Sequence, residues 1–185
     1  MIVAVLDADV LYPMVLRDSL LRAAAAGCFR LHWSERILDE VMRNLTQTYG
    51  MEPTKAAALR RAMTGAFPEA EVVGWESREA EMANHPKDRH VAAAAVTIGA
   101  PIIVTSNVRD FKGLPQGIAA MTPDHFLIHI LAAAPAEMIA ALRQQSAAYR
   151  RPPVSIAELL DHLSAVAPGF AAEAAKLAGV QRERP

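Results

Sequence analysis

Apolar positions along the chain follow two rhythms. Residues 2–6 form an unbroken apolar run, and Ile102–Val104 form another. Runs of that length fit strands buried on both faces, as in a parallel sheet. Elsewhere the apolar residues recur every three to four positions. Ile37, Val41 and Leu45, widened by Leu38 and Met42, predict one face of a helix, and Ser34 stands where its cap belongs. Residues 11–26 predict an earlier helix closed by Gly27. Residues 29–33 predict a second strand, 54–65 an exposed basic helix, and 71–73 a weak strand. Pro86 and Asp88 open a helix that runs to about residue 98, residues 118–121 form a short strand, and Pro123 starts a further helix. Strands alternating with helices predict the α/β class: three layers, α/β/α, around a central parallel sheet of four or five strands.

After residue 134 the pattern changes. Residues 135–148 read as a helix, Arg150-Arg151-Pro152-Pro153 as a linker, and 155–163 as an amphipathic helix bearing Ile156, Leu159, Leu160 and Leu163. Residues 168–177 add one more helix, and no strand is expected. The expected division is a domain over 1–134 and a helical extension over 135–185.

Composition narrows the class. Apolar residues make up 52% of the 185, enough for a core without covalent staples. Cys28 is the single cysteine, so no disulfide can form within the chain, which fits a reducing cytoplasm. The first residues lack a basic segment and meet an acid at Asp7, so a secretory leader is not expected. No segment approaches the roughly 20 apolar residues of a membrane span. The formal net charge of −1 leaves a polyanion partner open, because a local basic face can coexist with an acidic site.

In open parallel sheets ligands bind beyond the carboxyl ends of the strands. Two such ends are dense in polar groups. The first strand runs into Asp7-Ala8-Asp9, and Ile102–Val104 runs into Thr105-Ser106-Asn107, with Asp110 three residues on. Asp88 lies at a helix start. On the helix after Ser34, Asp39 and Glu40 stand at opposite edges of the apolar stripe, so periodicity does not choose between them. Each acid also has a structural reading: Asp7 as a turn former, Asp9 and Asp88 as helix caps, Asp110 as a turn acid. The six histidines, His90 among them, show no ligand spacing. Carboxylates converging on one crevice need a counter-ion. Hard oxygen donors without a cysteine or histidine cluster point to Mg²⁺ or Mn²⁺.

The order of the acids resembles that of PIN domains, the VapC-type toxins included. Leu6-Asp7-Ala8-Asp9-Val10-Leu11 is similar to their opening motif, and Ile37-Leu38-Asp39-Glu40-Val41 to the second, which selects Glu40. Pro86-Lys87-Asp88-Arg89-His90 resembles the third, and Thr105-Ser106-Asn107-Val108-Arg109-Asp110-Phe111 the fourth. The resemblance spans about residues 1–130, and the helices beyond resemble the extension of a longer PIN subgroup. It implies a ribonuclease in which Asp7, Glu40 and Asp88 hold Mg²⁺ or Mn²⁺, with Asn107 and Asp110 completing the catalytic set. Asn107 stands where many relatives carry an acid. Thr105, Ser106, Arg89 and Arg109 are candidates to contact the substrate, as are the helix cations Arg17, Arg22, Arg36, Arg43, Lys55, Arg60 and Arg61. The implied partners are RNA, a cognate antitoxin protein and a second copy of the chain; no membrane is implied.

Two other readings compete. Asp7-x-Asp9 and Val104-Thr105-Ser106-Asn107 imitate the first two motifs of haloacid-dehalogenase-type phosphatases, but no acidic pair follows to complete that chemistry. A non-catalytic RNA-binding PIN module is the other, although such modules usually lose the core acids retained here.

Overall fold

The computed structural model describes residues 1–180. Its elements run β1 (Val3–Leu6), α1 (Ala8–Leu11), α2 (Met14–Ala25), β2 (Arg30–His32), α3 (Glu35–Gln47), α4 (Pro53–Ala66) and α5 (Glu76–Glu79). A 3-10 turn at Pro86–Asp88 leads into α6 (Arg89–Ile98) and β3 (Ile102–Val104); a second at Val108–Phe111 precedes β4 (Ala119–Met121). The chain continues through α7 (Pro123–Ala133), α8 (Pro135–Ala148), α9 (Ile156–Ser164) and α10 (Pro168–Ala178).

The expected α/β class holds: a four-stranded sheet among the described residues, with helices flanking it and further helices after it. The strand order is β2-β1-β3-β4. β3 pairs in parallel with both neighbours, Val5 opposite Ile103 and Ile103 opposite Ala120. Ala4, Val5, Leu6, Ile103 and Val104 are wholly buried, as an unbroken apolar run demands. From β1 the chain places β2 on one side and β3 on the other. The gap between the carboxyl ends of β1 and β3 is therefore the switch point at which such sheets bind ligands.

Two expectations are corrected. The helix expected over 11–26 is two helices. α1 begins earlier, at Ala8, because the Asp7 carboxylate accepts the Ala8 N–H, and it ends before Pro13, whose ring fixes φ and removes a donor. α2 then starts at Met14. The strand expected at 71–73 is a single parallel bridge between Trp33 and Glu71; Val73 beside it is exposed, and Gly74 turns the chain at a positive φ.

The chain groups into two compact units. The sheet unit comprises Val3–Tyr12 and Leu31–Met121. Within it α1 packs on α3, α3 on α4, and α6 on β1, β3 and α5. Buried alanines 92 to 95 let α6 lie close, and Gly99, at a φ of 65°, closes that helix. The helical unit comprises Met1–Ile2, Pro13–Arg30 and the chain from Thr122 onward. There α2 packs on α8, and α10 on α7 and α9. Phe29 meets Phe126 edge to face, with ring centroids 4.9 Å apart. The Ser19 hydroxyl donates to Gln145 Oε1 at 2.7 Å, and Gln145 Nε2 donates to the Val15 carbonyl at 3.1 Å, so this buried polar pair is satisfied. Ser155 and Glu158 close a reciprocal capping box on α9. No single helix among the described residues is long and apolar enough to cross a membrane.

Candidate active site

Local rules place the acids. Asp7 leaves the end of β1, Asp9 sits one residue into α1, and Glu40 lies mid-way along α3. Asp88 ends the 3-10 turn that α6 continues, and Asn107 follows β3. All belong to the sheet unit. They line one crevice of about 440 Å³ with Ala8, Tyr12, Arg43 and Lys87.

Thr105 ties the two strand ends together. Wholly buried, its hydroxyl lies 2.8 Å from Asp7 Oδ2 and 3.3 Å from Asp9 Oδ2. Asp7 Oδ1 accepts the Ala8 N–H at 2.7 Å. Both oxygens of Asp9 lie within 3.1 Å of the Ser106 N–H, and the Asn107 N–H donates to the Thr105 hydroxyl oxygen at 3.1 Å. Thr105 and Ser106 therefore hold the acids from behind. Both Asp7 oxygens and Asp9 Oδ1, with one donor each, keep a lone pair beyond these bonds.

The electrostatics are those of acids forced together. Burial, reinforced by the negative charge of Asp9, pushes the Asp7 carboxyl up from 3.8 to about 8. Burial also raises Asp9, with the charge of Asp88 adding to it, and burial raises Asp88. Asp88 Oδ2 is buried and accepts no hydrogen bond; the nearest cation to it is Lys87 Nζ, at 3.9 Å.

Asp39 and Glu40 separate in space. Asp39 is exposed and pairs with Arg60 on α4. Glu40 turns to the crevice, where Arg36 Nε stands 3.9 Å from its Oε1 and His90 Nε2 stands 3.5 Å away. His90 is wholly buried, neither ring nitrogen has a hydrogen bond, and the Trp75 ring packs against it at 6.0 Å.

Asp110 lies at the rim. Its Oδ2 accepts from Asn107 Nδ2 and pairs with Lys87 Nζ at 2.9 Å. The hydrogen bond from Lys87 holds its carboxyl below the usual range. His85, Asp88 and Asp110 offer ligand atoms within 4.8 Å of one another, a grouping that linear spacing did not reveal.

Of the motif residues expected to contact substrate, Thr105 and Ser106 serve the acids. Arg89 Nε donates to the Asn84 carbonyl at 3.3 Å, and Arg109 is exposed; neither lines the crevice. The cations that line it are Arg43 and Lys87. Arg43 was among the helix cations expected to meet RNA; Tyr12 was not, although it stands three residues beyond Asp9, a spacing that puts the two on one helical face. Lys87 carried no signal beyond standing next to Asp88.

A hard divalent cation fits this donor set. The donors are carboxylate oxygens, one buried oxygen lacks a partner, and the neighbouring acids raise one another's proton affinity where no cation offsets them. Asp7, Asp9, Glu40 and Asp88 are the residues that could hold it.

Comparison with known proteins places the chain in a family. A PIN-domain family model matches residues 3–109, and a model described as the VapC50 C-terminal domain matches residues 123–176. A protein of Mycobacterium tuberculosis named "Putative ribonuclease VapC50" is 37% identical over 127 residues, which cover 67% of this chain and 73% of that protein. The second match covers the helices from α7 into α10, which follow the last strand along the chain. An α/β fold with a crevice of acids at its switch point, matched by a PIN model over more than half its length, makes this chain a member of the PIN-domain family, with a VapC50-like helical extension.

Proposed function

We propose that the protein is a metal-dependent endoribonuclease that hydrolyses phosphodiester bonds of RNA, and that it is the toxin of a type II toxin–antitoxin pair. The observation that carries the first part is the crevice, which Asp7, Glu40 and Asp88 line together, with Asp88 Oδ2 buried and without a hydrogen bond. The name of the Mycobacterium relative supports a ribonuclease. In this reading residues 1–134 form the nuclease domain and 135–185 extend it.

Asp7, Glu40 and Asp88 hold Mg²⁺ or Mn²⁺. When bound there, such an ion would supply the means to activate a water and to offset charge on the reacting oxygens. Thr105 keeps the Asp7 carboxylate turned into the crevice through its 2.8 Å hydrogen bond. Asn107 and Asp110 form the rim of the catalytic set, where Asn107 directs an amide toward the site and Asp110 fixes that amide. Arg43 lies where it can draw in the RNA backbone.

The substrate is unpaired RNA. An acidic pocket recessed at a sheet end requires the backbone to bend inward, and a splayed loop meets that requirement where a stacked duplex does not. The protein acts in the cytoplasm as a homodimer, and a cognate antitoxin inhibits it by covering the crevice, with an arginine suited to pair with its carboxylates.

The test is cleavage of matched hairpin and duplex RNAs with Mg²⁺ or Mn²⁺ over a range of salt. Cutting confined to the loop, with binding that weakens as salt rises, supports the reading. Equal cutting of duplex and loop contradicts the substrate assignment. Co-purification with the product of an adjacent small gene that blocks cleavage supports the toxin assignment, and growth unaffected by expression contradicts it.

A further inference from the structure

The crevice has two electrostatic halves. Asp7, Asp9, Glu40 and Asp88 form one; among the described residues the cation closest to Glu40 is Arg36, at 3.9 Å. The other half carries its own cation. Lys87 Nζ stands 2.9 Å from Asp110 Oδ2 and 3.9 Å from Asp88 Oδ2, so it bridges the rim acid and the acid at the start of α6. The same Asp110 oxygen accepts the Asn107 amide. Lys87 thus holds the rim acid in a close pair, whereas Arg36 and Lys87 come no nearer than 3.9 Å to Glu40 and Asp88.

We propose that Lys87 is a catalytic residue: its ammonium supplies, beside a single divalent ion held by the inner acids, the second positive charge on the scissile phosphate. This rests on the nuclease reading above. Hydrolysis of a phosphodiester joins the water oxygen to phosphorus and breaks the bond from phosphorus to the departing nucleoside oxygen. One proton of the water passes to a crevice carboxylate, and the departing oxygen takes up a proton from solvent. Negative charge grows on the attacking and leaving oxygens at once, so positive charge is needed at two places. The inner acids can place one cation. Lys87 places the other without a second ion, remaining protonated throughout and donating hydrogen bonds only.

Three features suit Lys87 to this task. It lines the crevice, which Arg89 and Arg109 do not. Its side chain is 59% exposed, so it can exchange Asp110 for a phosphate oxygen without unpacking the core. An ammonium is also a compact charge with three rotatable donors, suited to a tetrahedral oxyanion. It occupies the rim as well. His85, Asp88 and Asp110 have ligand atoms within 4.8 Å of one another, and Lys87 pairs with two of the three. Removing the ammonium would open that group to a metal.

Calorimetric titration of Mn²⁺ into metal-free protein tests the idea without reference to cleavage, and single-stranded RNA kinetics test it with cleavage. The wild type should bind one ion per chain. Lys87→Met should melt like the wild type, keep that first ion with equal or tighter affinity, and gain a weaker second. Its kcat should fall by about 100-fold with little change in KM, and Lys87→Arg should recover part of the loss. Two ions of comparable affinity in the wild type, or a Lys87→Met kcat within about threefold of wild type, would overturn the proposal. A wild type that binds one ion yet cuts no RNA fails differently, since it removes the nuclease reading itself.

Discussion

The sheet unit and the helical unit treat buried polar groups in opposite ways. In the helical unit Ser19 and Gln145 satisfy one another and the Val15 carbonyl, and Asp124 accepts the Phe170 N–H at the start of α10, at 2.8 Å. Tyr149 Oη is the one buried side-chain atom of that unit without a partner among the described residues. The sheet unit leaves Trp33 Nε1, both polar atoms of Asn84, both ring nitrogens of His90 and Asp88 Oδ2 unpaired, and it crowds acids whose proton affinity burial raises. Unpaired buried groups cost stability. Of these, Asp88 Oδ2 lies in the crevice and His90 stands 3.5 Å from Glu40, so part of the cost falls at the candidate site.

The sharpest way to break this contrast is to remove a crevice acid. Asp88→Asn and Glu40→Gln should lower kcat on single-stranded RNA by on the order of 10³-fold, with circular dichroism unchanged. Activity near wild type in either variant would show that the crevice is not the catalytic centre.

The second test reads the stored cost directly. Asp7 binds its proton more tightly in the folded chain than in the unfolded one. The folded state therefore holds more protons between 3.8 and about 8, and stability falls as pH rises through that window. Asp7→Asn removes the cost. Without metal, the variant should be more stable than wild type by about 1–3 kcal/mol at pH 8, and the gain should vanish near pH 4. Thermal melts at the two pH values check the sign; a gain that grows as pH falls contradicts it.

Gln145→Leu probes the other unit. It removes the hydrogen bonds of Gln145, while the Ser19 hydroxyl can still donate to the Val15 carbonyl at 3.0 Å, and should cost about 0.5–1.5 kcal/mol in urea unfolding. Cleavage per folded molecule should stay at the wild-type value.

The smallest effect is expected at the neighbour of Glu40. Asp39 is exposed and pairs with Arg60, so Asp39→Ala should change stability by less than about 1 kcal/mol and leave kcat untouched. A large loss of activity there would reverse the assignment of the second acid.

Asp39 and Glu40 also show where the sequence stops being legible. Their positions on the wheel are equivalent with respect to the apolar stripe. What separates them is Arg60, on a helix whose packing against α3 no local pattern encodes. The strands β1 and β3 were legible because a wholly buried strand must be an unbroken apolar run. The strand ends then brought Asp7 and Asn107 into view, since the site of an open parallel sheet follows from its topology. The early start of α1 was not legible, because Asp7 serves the crevice and caps Ala8 with the same carboxylate. Asp110 looked like a turn acid or a site acid on sequence alone; the structure ties it to Lys87 and Asn107. A lysine beside an acid is ordinary in a sequence, and only the fold sets Lys87 between Asp88 and Asp110.

The central claim is that the crevice cuts RNA by means of a divalent ion that its acids hold. The direct measurement is a time course on a labelled RNA hairpin, run with wild type and Asp7→Asn, each with Mg²⁺, with Mn²⁺ and with excess chelator. The wild type should cleave with either ion and not with chelator, and Asp7→Asn, although folded, should cleave under none of these conditions. Cleavage that survives the chelator, or that Asp7→Asn performs at the wild-type rate, would contradict it.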